Sequence, residues 1–89
     1  MPSMYQVHLR KRLQPDPATL MRVFGLTYCE ARLACAIANG IAPEQIAQEL
    51  GRSSETVRNQ LKGVFGKTDT HRQSELAALV LQFAYQEVA

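Results

Sequence analysis

The chain has 89 residues, 46% of them hydrophobic and 20% charged, with a formal net charge of +2. That composition describes one small globular domain with an economical core rather than a disordered chain, and the weak net charge alone does not argue for nucleic acid. No apolar run approaches membrane-spanning length and no signal-peptide core opens the chain, so the expected setting is cytoplasmic.

Residues 1–16 read as an N-terminal arm or linker, and residues 17–89 as the domain. Tyr5 to Leu9 alternates apolar and polar residues, as a short strand does, and Arg10-Lys11-Arg12 follows as a basic cluster. The cluster reads either as an arm on DNA phosphates or as a solvated linker, and the second reading is favoured. Pro15 and Pro17 around Asp16 exclude a helix there. Asp16 then looks like an N-cap with Pro17 at the first helical position, and Ala18–Phe24 is expected as a short helix with Leu20, Met21, Val23 and Phe24 as apolar contacts. Gly25 ends it. Thr27 is a second N-cap, completed as a capping box by Glu30. The helix it opens runs to Asn39-Gly40, with Ala31, Leu33, Ala34, Ile37 and Ala38 on its core face. Pro43 starts the next, eight-residue helix, with Ile46, Ala47 and Leu50 inward and Gly51 as its stop.

Ser53 caps the helix that matters most. Glu55 sits in its first turn, where a carboxylate suits the positive end of the helix dipole. Val57, Leu61, Val64 and Phe65 fall at i, i+4, i+7 and i+8, which is one helical face. The opposite face carries Glu55, Arg58, Asn59 and Lys62. Arg and Lys reach guanine acceptors in a major groove, Asn pairs with adenine, and a Glu accepts from cytosine. The plain alternative is a charged face turned to water. Charge distribution favours the first reading: Arg52, Arg58, Lys62, Lys67 and Arg72, half of the 10 cations, lie within residues 51–72 against Glu55 and Asp69. Gly63 is expected toward the outer side, and Gly66 as an early helix end with Lys67 near the negative pole. Asp69 or Thr70 would cap a last helix from His71 to about Glu87. Its apolar stripe is wide. Part of it closes the core, and the remainder, around Leu79, Phe83 and Gln86, is left exposed as an expected dimer interface. The whole is all-α: a short extra N-terminal helix before a small four-helix domain in which a short helix, a glycine turn and an amphipathic helix make a helix-turn-helix.

Cys29 and Cys35, six apart on one helix, point to different faces and cannot bridge each other; with two histidines not in paired short spacing they make no metal site. No paired carboxylates, Cys/His pair or glycine-rich phosphate loop is present, so no catalytic residue, no cofactor and no small-molecule substrate is expected.

Taken together, Leu26-Thr27 with Glu30-Ala31, Ile37-Ala38-Asn39-Gly40, the run from Ile46 to Ser53, the run from Thr56 to Lys62 with Phe65-Gly66-Lys67, and the segment from Thr70 to Leu76 resemble the LuxR/GerE-type helix-turn-helix domain of bacterial transcription regulators. The match covers about residues 26–84. The resemblance implies a tetrahelical domain that binds double-stranded DNA through its third helix, about residues 54–66, and dimerises on its fourth. It assigns Arg58, Asn59 and Lys62 to base edges. It assigns Ser53 or Ser54, Thr56 and Lys67 to phosphates, with Arg72 as a further cation of the same patch. Asp69 stands where that family usually has Gly, Gln60 where it frequently has His, and Cys29 where it often has Arg, which leaves a phosphate contact there without support. The expectation is a sequence-specific transcription regulator, with RNA polymerase as a further partner. The alternative is a protein-interaction module, or a domain like the promoter-reading region of a sigma factor, docking on the transcription machinery.

Overall fold

The computed structural model describes residues 13–86. The expected strand at Tyr5–Leu9 and the basic cluster Arg10-Lys11-Arg12 lie outside the described residues. Among those described, five helices follow one another: α1 (Pro17–Phe24), α2 (Tyr28–Ala38), α3 (Pro43–Leu50), α4 (Ser54–Thr68) and α5 (Gln73–Gln82). Two three-residue strands, β1 (Leu13–Pro15) and β2 (Ala84–Gln86), flank them and pair antiparallel, Leu13 opposite Gln86. The fold is a small all-α domain.

The helix starts follow the local chemistry of the chain. Asp16 accepts from the Ala18 N–H at 3.2 Å and from the Thr19 hydroxyl at 2.8 Å, and Pro17 occupies the first turn, where its missing N–H costs nothing. Thr27 and Glu30 exchange side-chain-to-backbone hydrogen bonds of 2.9 and 3.1 Å, a complete capping box. Ser53 accepts from the Thr56 N–H at 3.1 Å. Each satisfies a backbone donor that the first turn leaves free.

α2 is the central helix. It packs against α1, α4 and α5, and α3 packs on α4. Its small residues allow this: Ala31 and Ala34 have no exposed surface, so neighbouring backbones come close. Leu20, Val57, Val64, Leu76 and Val80 are the largest fully buried side chains. One comes from α1, two from α4 and two from α5, which makes the core a joint between elements distant in sequence.

Several sequence expectations are corrected. α1 touches chiefly α2, so of its four expected apolar contacts only Leu20 and, in part, Phe24 are covered; Met21 and Val23 are exposed. Leu50, expected inside, is 57% exposed because it closes the last turn of α3 at the rim of a surface groove. Gly66 does not end α4, which continues to Thr68. The stop is Asp69, in the left-handed region at φ 56°, whose N–H donates to the Phe65 carbonyl. That is the conformation the absent glycine would have supplied. Gly63 turns inward rather than outward: a Cβ there would lie 3.1 Å from Glu30 Oε2. Neither Asp69 nor Thr70 caps the last helix. Asp69 is spent on the α4 stop, Thr70 shares a 2.8 Å hydrogen bond with the Thr68 hydroxyl, and Arg72 takes the cap position without a side-chain bond. Instead Glu75 reaches back to accept from the His71 N–H at 2.8 Å. The last helix ends at Gln82, not near Glu87, because Phe83 turns the chain and residues 84–86 join β1.

Candidate nucleic-acid interface

The candidate interface is built on the turn between α3 and α4. Gly51 adopts φ 67°, a left-handed conformation that glycine enters without penalty, and its N–H returns to the end of α3. The Arg52 N–H donates to the Ala47 carbonyl at 3.0 Å and the Gly51 N–H to the Gln48 carbonyl at 3.3 Å, so these two carbonyls are satisfied before the chain reverses. Ser53 then opens α4. Val57, Leu61 and Val64 anchor one side of α4 in the core, and Phe65 packs partly buried beside them. That anchoring turns Glu55, Arg58, Asn59 and Lys62 to solvent, and all four are exposed. From Glu55 to Lys62 is seven residues, about 10 Å of helix, which suits a major groove about 12 Å wide.

The exposed residues are not equally free. The Arg58 guanidinium donates to the Glu44 carboxylate in the first turn of α3, which holds it across the helix pair. Both side chains are more than half exposed, so the pair is weak, about 0.2–1 kcal/mol. Asn59 and Lys62 make no side-chain hydrogen bond or ion pair among the described residues. Of the residues assigned to phosphates, Ser54 is exposed in the first turn of α4, while the Ser53 and Thr56 hydroxyls are 2.9 Å apart and share a hydrogen bond. Arg72 is exposed at the start of α5.

Lys67, also assigned to phosphates, is engaged within the domain. Its ammonium donates to Glu30 Oε1 at 2.8 Å and to the Gly25 carbonyl at 3.3 Å, tying the end of α4 to the start of α2. The Glu30 side chain is only 16% exposed. The Lys67 ammonium and the Thr27 N–H hold its carboxyl below the usual carboxylate range, against a smaller opposing effect of burial. Gly63 leaves the room that this carboxylate occupies. Lys67 therefore closes a structural clamp.

The expected dimer strip is also rearranged. Phe83 packs edge-on against Phe24 of α1, ring centroids 5.4 Å apart and planes at 85°, and is half-buried. Leu79 is half-buried, Gln86 sits in β2, and it is Leu81, at 41%, that stands exposed on α5. The two cysteines are free thiols, Cys29 exposed and Cys35 buried, with burial pushing the Cys35 thiol up to about 11. Among the described residues no helix is long and apolar enough to cross a membrane.

The hold of Glu44 on Arg58, and of the capping-box residue Glu30 on Lys67, is what sequence reasoning missed. Each acts on a cation far along the chain, and each reads locally as a first-turn acid. No helical periodicity links positions 14 or 37 residues apart.

No protein-family model, curated protein or solved structure matches the chain.

Proposed function

We propose that this domain is a sequence-specific DNA-binding transcription regulator of the LuxR/GerE helix-turn-helix type, with α4 as the groove-reading helix. The observation that carries the reading is the outer face of α4. Arg58, Asn59 and Lys62 stand exposed on one stripe, directly after a tight glycine turn and a short helix that leave the groove side of α4 uncovered. Lys62 and Asn59 are available for base edges as they stand. Arg58 exchanges Glu44 for guanine or phosphate, an exchange that favours DNA because the existing pair is solvent-screened. Glu55 accepts from cytosine or serves the helix dipole alone. Ser54, Thr56 and Arg72 flank the stripe and supply backbone contacts that set register. Two copies pair along α5, which gives a symmetric site.

The reading is tested by gel shift on sequences enriched from a random DNA pool. Arg58→Ala and Lys62→Ala each lower affinity by about 1–3 kcal/mol of base discrimination while circular dichroism stays unchanged. Unaltered affinity in both folded variants removes α4 as the reading element.

A further inference from the structure

A groove of about 230 Å³ opens on the surface between α2 and the end of α3. Its floor is apolar: Leu33 and Ile46 reach it from the core, and Leu50 forms a rim that is 57% exposed. Tyr28 forms the opposite rim, 56% exposed. A leucine and a tyrosine left this open at facing edges of one depression are not needed by the fold, and such residues mark contact surfaces.

The charges around the groove say what fits. Arg32 stacks over the Tyr28 ring, its guanidinium carbon 5.7 Å from the centroid, and donates to the Tyr28 hydroxyl at 3.0 Å. This fixes the guanidinium at the rim with most of its donors unused. Arg52 approaches from the α3–α4 turn. Neither arginine has a carboxylate within ion-pair distance among the described residues, although Glu49 also lines the groove. Two guanidiniums, one of them held in place by Tyr28, against the single carboxylate of Glu49 leave the rim cationic, around an apolar floor large enough for one or two side chains. Tyrosine and arginine around an apolar pocket form the composition that dominates binding energy at protein interfaces.

We propose that this groove is a docking site for an acidic peptide segment of a partner protein, one that seats a leucine or phenylalanine on Leu33, Ile46 and Leu50 and sets flanking carboxylates against Arg32 and Arg52. The bidentate geometry of guanidinium with carboxylate sets the orientation of the segment. The site goes beyond DNA reading and does not depend on it: α2, α3 and the turn after α3 line it, with Gln60 of α4 at one edge, and none of Arg58, Asn59 and Lys62 is part of it.

Cys29 lies in the groove wall and is exposed, whereas Cys35 is buried, so alkylation by N-ethylmaleimide reports on the groove alone. The test is selection from a random peptide library displayed on phage against the whole chain, followed by alkylation with the selected synthetic peptides present. Expected winners carry an aromatic or leucine anchor flanked by Asp or Glu, and they slow Cys29 alkylation. Arg32→Ala with Arg52→Ala weakens them by about tenfold, and Leu50→Ser, which keeps both charges, weakens them comparably, each with an unchanged circular dichroism spectrum. Winners without acidic residues, peptides that leave Cys29 alkylation unchanged, or affinity indifferent to the paired arginine substitution overturn the proposal. So does protection of Cys29 by a random-sequence DNA duplex that the arginine pair alone abolishes while no peptide competes, because the two cations then serve the DNA backbone.

Discussion

Replacing Lys67 with methionine separates two roles that the sequence alone does not distinguish. Methionine keeps an apolar stem of similar length and removes the ammonium, so packing survives and the clamp is lost. The ammonium makes a 2.8 Å charge-assisted hydrogen bond to Glu30, of a kind worth about 1.5–3 kcal/mol when shielded. The Lys67 side chain is 41% exposed, however, and solvent screening brings the expected loss to about 1 kcal/mol. For a domain of this size that is a fall in Tm of about 4–8 °C, measured by thermal circular dichroism. The pH dependence adds a second readout. The folded-state pKa of Glu30 is lowered, with the Lys67 hydrogen bond its largest cause. The folded state therefore binds fewer protons than the unfolded chain between the two pKa values, and stability rises with pH across that window. The contribution is complete above the ordinary glutamate value of about 4.3 and is lost as pH falls through the lowered one. In Lys67→Met the Glu30 value moves back up, so the difference in Tm from the parent is full at neutral pH and shrinks in acid. An unchanged Tm, together with a salt slope of DNA binding reduced by about one, refutes the clamp and returns Lys67 to the phosphates.

Other substitutions test the remaining joints. Ser53→Ala removes the α4 cap and lowers stability by about 1 kcal/mol in urea titration, and it weakens DNA binding no more than the folded fraction accounts for. Asp69→Gly relieves the left-handed residue that stops α4 and holds or raises Tm, whereas Asp69→Val, β-branched in the same conformation, lowers stability by more than about 1 kcal/mol in urea titration. Phe83→Ala removes the edge-on contact with Phe24 and costs about 2 kcal/mol, seen as a Tm loss independent of protein concentration; a loss that appears only as weakened self-association in sedimentation assigns Phe83 to a dimer surface instead.

The features that local sequence made legible are those whose partners lie within a few residues. Asp16, Thr27 with Glu30, and Ser53 all cap the helices they precede, because a cap is a contract over three residues. The inward stripe Val57, Leu61 and Val64 follows from the helical repeat, and with it the outward stripe Arg58, Asn59 and Lys62. The left-handed Asp69 was readable as a residue standing at a glycine position. Two misreadings are local, Gly66 as the end of α4 and Asp69 or Thr70 as the last cap, because adjacent residues compete for the same turn; the others are non-local. Leu50 has the spacing of a core residue, but whether a neighbour covers it depends on how α2 lies beside α3, and there a groove opens instead. Phe83 belongs to an apolar stripe by count, yet its ring is used 59 residues back on Phe24. Residues 84–86 carry no strand signal until β1, at the far end of the domain, is brought beside them. Lys67 and Arg58 read as free cations because the acids that hold them sit on other helices.

The claim on which the account turns is that the exposed stripe of α4 reads DNA, and selection of bound sequences from a random duplex pool tests it most directly. The account predicts a defined, two-fold symmetric motif. It also predicts that Asn59→Ala relaxes preference at one position per half-site without loss of helix content, and that overall affinity falls steeply with salt. A pool that stays unenriched at low salt, or a motif that Arg58→Ala, Asn59→Ala and Lys62→Ala all leave unchanged, contradicts it.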